Sequence, residues 1–188
     1  GYRLSYPDEK LFTFYLDEFE TKLFDLPEGV YTCLIENEDC EEQILTPGMD
    51  DEIFSRTKVP MTKNEVRVLS ISRLELTKNA VVYDVGSGTG SVSIECARLS
   101  PDIFVFAIEQ KEEAANLTKE NAVRLGLSDQ ILVINKKAPE GFEELPTPTH
   151  VFIGGSSGAL SDILSAIQKK LIVKENTKGK TDKASKGV

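Results

Sequence analysis

The sequence predicts an α/β fold, a doubly wound parallel sheet with helices on both faces, and three observations predict it. Short apolar runs rich in β-branched residues alternate with stretches of helical periodicity from residue 62 onward. The first run, Val81-Val82-Tyr83-Asp84-Val85, stops at three glycines spaced G-x-G-x-G (Gly86, Gly88, Gly90), after which Ser91, Val92, Ile94 and Ala97 open a helix. The second run, 103–108, ends at Glu109, 23 residues after Gly86. Nucleotide-binding α/β folds place an acid for ribose hydroxyls at a separation of about 20 residues. Together these features describe a Rossmann-like sheet with a ligand at its carboxyl edge.

Glycine is expected in the first turn because the backbone must take positive φ there and because a side chain would occupy the space of a ligand. Two details narrow that ligand. A dinucleotide fingerprint reads G-x-G-x-x-G, whereas here the third glycine comes one place early and Ser91 stands where the later one would be. Asp84, two residues before Gly86, could face an ammonium group and would repel a pyrophosphate. Both details favour S-adenosyl-L-methionine, which has an amino acid end, a positive sulfonium and no phosphate, over a nicotinamide cofactor. The candidate cofactor site is therefore Asp84, the turn Gly86-Ser87-Gly88-Thr89-Gly90, and Glu109 as ribose ligand. The plainer alternatives are a glycine turn joining a core strand to a core helix, and a strand-end acid that favours the dipole of the next helix.

Composition bounds the class. The chain has 188 residues, 40% hydrophobic and 28% charged, enough for one good core plus additional segments. No run approaches the ~18 apolar residues of a membrane span, so a cytoplasmic chain with no membrane partner is expected. A net charge of -9 argues against a broad basic face for nucleic acid. The three cysteines, Cys33, Cys40 and Cys96, lack metal-site spacing and read as small buried thiols, with no metal expected.

Taken in order, residues 1–38 carry a helical patch (Leu11, Phe14, Tyr15, Phe19) and a strand-like run (Val30–Ile35) whose aromatic surface they cannot bury alone. They read as the end of a preceding domain. Residues 39–49 are acidic and punctuated by Pro47 and Gly48, a linker, and 50–174 form the main domain. Arg56 and Lys58 bring positive charge to its start, in a solvated loop or for substrate carboxylates. Thr62-Lys63-Asn64-Glu65 has the form of a capping box, with Thr62 as N-cap of a helix reaching about Leu74. Further helices are expected to end near Ser100-Pro101 and to run from Lys111 to Leu125, stopped by Gly126.

A third strand at 131–134 leads to a turn in which Ala138, small and with a free amide, is either an adenine contact or plain turn. A fourth, Val151-Phe152-Ile153, empties into Gly154-Gly155-Ser156, either backbone donors near a methyl acceptor or a tight link. His150 precedes that strand on the edge away from the crevice, so no catalytic role is assigned to it. A helix from Ala159 to about Lys169 follows, then a fifth strand at Leu171-Ile172-Val173, then a Lys-, Thr- and Gly-rich stretch, 175–188, expected to be disordered.

Several of these pieces together resemble the decarboxylating precorrin-6Y methyltransferases of cobalamin biosynthesis, in their carbon-15 methylating component. The matching stretches are Asp51-Glu52-Ile53-Phe54, Val59-Pro60-Met61-Thr62-Lys63, Val82 through Glu95, and Val151 through Ser156. Leu4-Ser5-Tyr6-Pro7-Asp8-Glu9 looks like the last part of the carbon-5 methylating component. The resemblance implies methyl transfer from S-adenosyl-L-methionine to carbon 15 of a precorrin, or its cobalt form, with loss of carbon dioxide from the ring C acetate. It implies a homo-oligomer, a tetramer, and cofactor ligands at Thr62, Gly86 to Gly90, Glu109 and Ala138. Thr62 as a ligand comes from the resemblance alone. Arg56, Lys58 and Lys63, with Gly154, Gly155 and Ser156, are the corresponding expectations for substrate. The departure is at the carboxyl end, where nothing after Val173 supplies the two-stranded hairpin with which class I methyltransferases finish. A methyltransferase for another small molecule and a cofactor-holding scaffold module remain the alternative readings.

Overall fold

Each expected strand is a run of β-branched and aromatic residues four or five positions long and bounded by turn formers, as strands covered on both faces require. In the computed structural model, which describes residues 12–18, 21–22, 34 and 46–184, four of these runs form the sheet. They are β1 (Val81–Val85), β2 (Phe104–Ile108), β3 (Ile131–Ile134) and β4 (His150–Ile153). All pair in parallel, in the order β3-β2-β1-β4. Val85 is level with Ile108 on one side and Ile153 on the other, so three carboxyl ends share one edge. The chain winds outward through β2 and β3 and then returns to the other side of β1. That reversal opens a crevice outside the end of β1, where ligands of doubly wound sheets bind.

Among the described residues four α-helices accompany the strands: α1 (Asn64–Leu74), α2 (Ser91–Arg98), α3 (Glu112–Arg124) and α4 (Leu160–Ala184). Alternation along the strands divides the core in two. Val82, Val105, Ala107 and Ile131 pack with Ile71 of α1, Val92 and Ile94 of α2 and Ala122 of α3. On the opposite face Tyr83, Val85 and Ile108 pack with Phe142 and with Ile163 of α4. Gly126, at φ +70°, follows the end of α3.

The structure departs from the sequence reading at several places. The N-cap of α1 is Lys63 rather than Thr62, and no side chain caps it. The Thr62 carbonyl instead accepts from Arg67 Nη1 at 2.7 Å, which sets the segment outside the helix. The buried face of α1 is Arg67 and Ile71, while Val66 and Leu69 are exposed. Leu171-Ile172-Val173 is not a strand; these residues continue α4, whose backbone runs to Ala184 through much of the stretch expected to be disordered. No proline or turn signal separates Lys169 from Leu171, and three apolar residues cannot impose a strand on a helix already under way.

By its contacts the chain divides into two units, Gly1–Gln43 and Ile44–Val188. In the first, the expected helical patch is represented by a short 3-10 turn, Leu16–Glu18, with the Tyr15 amide donating to Glu18 Oε2 at 3.2 Å. Of the strand expected at Val30–Ile35, only Leu34 is described, exposed and outside any strand. Cys33 and Cys40 lie outside the described residues.

Candidate functional site

The crevice is built by two glycine turns that touch each other. The Gly86 amide donates to the Ile108 carbonyl at 2.8 Å, and the amides of Gly154 and Gly155 donate to the Val85 carbonyl at 2.9 and 3.2 Å. Gly86, Gly88 and Gly90 all take positive φ, +75°, +59° and +77°. A Cβ on Gly86 would lie 2.7 Å from the Gly155 nitrogen and oxygen, and one on Gly88 would lie 2.8 Å from the Pro60 carbonyl. The expectation that these glycines clear space for a ligand is thus corrected. Neighbouring protein backbone fills that space at Gly86 and Gly88 and the Thr118 side chain fills it at Gly90, so the glycines let these segments converge.

Around this convergence lies a cleft of about 230 Å³ lined by Gly86, Gly88, Glu109, Ala138, Gly154, Gly155 and Ser156 among the expected residues. Glu109, 8% exposed, is held by two backbone donors: Gly88 N–H to Oε2 at 3.1 Å and Lys111 N–H to Oε1 at 2.9 Å. The carboxylate occupies the glycine-turn amide that a pyrophosphate would need, and its charge repels one.

Asp84 does not line the cleft. Strand alternation turns it toward α2, where it is 1% exposed, and Ser93 Oγ donates to its Oδ2 at 2.5 Å. Burial pushes its pKa up to about 6, against the hydrogen bonds from Ser93 and with a smaller upward push from Glu109. Its Oδ1 and the Thr89 hydroxyl are buried with no hydrogen-bond partner in the protein. Ser87, Thr89 and Gly90 lie behind the turn, with Ser87 Oγ 3.4 Å from Thr118 Oγ1 and Gly90 as N-cap of α2. These three shape the turn and do not line the cleft.

Residues 48–62 form a strap whose Val59 and Pro60 are one wall of the cleft. Its anchor is Arg67, fully buried, which donates through Nε to Glu95 Oε1 at 2.6 Å and through Nη1 to Asp51 Oδ1 at 3.0 Å and the Thr62 carbonyl. Its Nη2 donates to the Met49 carbonyl, and the guanidinium sits 4.8 Å from the centre of the Phe54 ring. Glu95 is completed by the amides of Gly48 and Met49 at 2.6 and 3.1 Å. Asn121 holds Ser55 through both backbone groups, at 2.7 and 3.0 Å. Burial raises the Asp51 pKa, but Lys63 and Arg67 outweigh it and hold the carboxyl below its ordinary value.

Thr62 is therefore part of the strap and not of the cleft wall. Lys63 is committed to Asp51 at 3.0 Å, and Arg56 and Lys58 are exposed on the strap without lining the cleft. Arg67 and Asn121 were missed by sequence reasoning. A charged or amide residue in a helix reads as solvated, and nothing in the local sequence marked either as a partner of the strap. His150 lies at the amino end of β4, its Nδ1 2.8 Å from Thr149 Oγ1. Burial, with Asp84 and Glu95 nearby, pushes the Cys96 thiol well above its ordinary range. Among the described residues no helix is long and apolar enough to cross a membrane.

Residues 52–176 match the precorrin methyltransferase domain. The chain belongs to that family. Over 128 residues, 67% of the chain and 66% of the relative, the domain is 43% identical to a Pyrobaculum calidifontis protein named "Probable cobalt-precorrin-6B C(15)-methyltransferase (decarboxylating)". Its fold matches the crystal structure of a precorrin-6Y C5,15-methyltransferase from Geobacter metallireducens with a TM-score of 0.64 and 35% identity, covering 69% of this chain and 68% of that one. It also matches precorrin 8W decarboxylase of Methanobacterium thermoautotrophicum, with a TM-score of 0.61 and 37% identity over 65% and 66% of the two chains. The Rossmann-like methyltransferase fold expected from the sequence is thereby shown. The chain spans 60 to 66% of the length of the first curated relatives it matches.

Proposed function

We propose that this domain catalyses S-adenosyl-L-methionine-dependent methylation of carbon 15 of precorrin-6B or cobalt-precorrin-6B, with decarboxylation of the ring C acetate. The observation that carries the cofactor assignment is Glu109, an acid held at the cleft by two backbone amides and aimed where ribose hydroxyls can donate to it. The buried, unpartnered Oδ1 of Asp84 adds negative charge beneath the turn, a fit for the cofactor's cationic amino acid end by field rather than by contact. Ala138 lines the cleft near the adenine end, beside a cis Ala138–Pro139 peptide. The other turn residues, Ser87, Thr89 and Gly90, and Thr62 on the strap serve the cofactor by shaping the cleft.

When bound, S-adenosyl-L-methionine supplies an electrophilic methyl group. The protein's task is chiefly positioning, and proximity of a ring carbon to that methyl can contribute on the order of 7 kcal/mol or more. Gly154, Gly155 and Ser156 offer backbone groups to the acceptor at the open side of the cleft. Arg56 and Lys58, exposed on the strap next to Val59, serve the substrate's outer carboxylates. The substrate assignment is supported by the names of relatives 36 to 43% identical. The first 38 residues, on the same reading, are the end of a carbon-5 methylating component, and the assembled enzyme is a tetramer.

The test is incubation of the purified chain with S-adenosyl-L-methionine and precorrin-6B or its cobalt form, followed by mass spectrometry. Gain of a methyl group with loss of carbon dioxide supports the proposal. Cofactor binding without turnover of either form would instead favour a methyltransferase for another small molecule or a scaffold module.

A further inference from the structure

We propose that Lys111, Lys136 and Lys137 form a carboxylate-binding subsite on the rim of the cleft, which receives the acidic side chains of a polycarboxylate substrate. This rests on the substrate reading above and deepens it. The three lysines line the cleft from two separate turns, Lys111 after β2 and Lys136 and Lys137 after β3. All three are exposed. Among the described residues no carboxylate lies within ion-pairing distance of any of them, whereas Lys63, the cation of the VPMTK stretch, is paired with Asp51 at 3.0 Å.

Two acids of these turns are already engaged, while Glu112 and Glu140 are exposed and form no ion pair with the three lysines among the described residues. Glu109 accepts the Gly88 and Lys111 amides, and Glu113 accepts the Thr57 hydroxyl at 2.6 Å. Three cations with no ion pair among the described residues thus line one opening in a chain of net charge -9. An anion is repelled over most of that surface, so a cationic rim on a concave site concentrates it where the chemistry occurs. Lysine suits the task because a compact charge on a long stem can follow several flexible carboxylates, where arginine would fix the geometry of one. Val59 and Pro60 of the strap supply apolar lining at the same opening.

The experiment compares the wild type with the triple variant Lys111→Gln, Lys136→Gln, Lys137→Gln in steady-state kinetics on precorrin-6B at low and high salt. Affinity for S-adenosylhomocysteine, measured by calorimetry, reports that the cleft is intact. Screened lysine–carboxylate pairs are worth up to about fivefold each. The expected result is a KM for the tetrapyrrole raised about tenfold or more at low salt, with S-adenosylhomocysteine affinity retained. The wild-type KM should rise with salt while that of the variant stays flat. An unchanged KM with the same salt dependence as the wild type would overturn the subsite while leaving the proposed reaction standing. Should the wild type turn over no precorrin, the reaction assignment fails, and fluorescence titration with uroporphyrin, an octacarboxylate, still tests the rim. Weaker binding by the variant supports it, and equal binding or none by the wild type overturns it.

Discussion

Replacing Asp84 with asparagine should make the cofactor-free protein more stable at neutral pH. Asp84 is fully buried, its Oδ1 has no partner, and its pKa is raised from 3.8 to about 6, chiefly by burial. Between those values the folded protein holds a proton that the unfolded chain has released. Stability therefore falls as pH rises from about 4 to about 6, and the loss is complete above that range. A rise of roughly two pK units at ~1.4 kcal/mol each amounts to about 3 kcal/mol. Asparagine does not ionise and escapes this penalty, but it weakens the charge-assisted bond from Ser93 by about 1 kcal/mol. The net expectation is about 2 kcal/mol of added stability at pH 7.5, and none at pH 3.5. Urea denaturation of both proteins at the two pH values measures it through the transition midpoints. A variant less stable than the parent at pH 7.5, or a difference independent of pH, would refute the reasoning. The same variant should bind S-adenosylhomocysteine more weakly, since a buried acid that destabilises the fold is retained where its charge serves a ligand.

Arg67→Met leaves Glu95 buried without its cation and should destabilise the domain by about 3 to 5 kcal/mol in chemical denaturation, much of it recovered when Glu95→Leu is added. Gly86→Ala places a methyl group 2.7 Å from the Gly155 backbone at a φ of +75°. It should lower stability by about 1 to 3 kcal/mol and weaken S-adenosylhomocysteine binding measured by calorimetry, because the two glycine turns must part.

What the sequence made legible was local. The strand, the G-x-G-x-G turn and the following helix are read from the seventeen consecutive residues Val81 to Ala97, and Glu109 from a spacing that the strand–helix–strand unit sets. Ala138 and Gly154 to Ser156 followed because every parallel strand here delivers its next turn to the same edge. The direction of Asp84 was within reach, since alternation places it with Val82 on the helix side and away from Val85. Arg67 was not. Its partners are carbonyls of Met49 and Thr62 and the acids Asp51 and Glu95, which meet only after the strap folds over α1 and α2. The end of α4 was misread because a three-residue apolar run has no period of its own, and the helix before it decided its state.

Calorimetric titration of the wild type and of Glu109→Ala with S-adenosylhomocysteine tests the central claim most directly. Two hydrogen bonds to an ionised acceptor are at stake, each worth about 1.5 kcal/mol or more. The wild type should bind the nucleoside and not NAD, and Glu109→Ala should lose at least about tenfold in affinity while keeping its fold. Equal affinity in the two proteins, or binding of NAD by the wild type, would contradict the account.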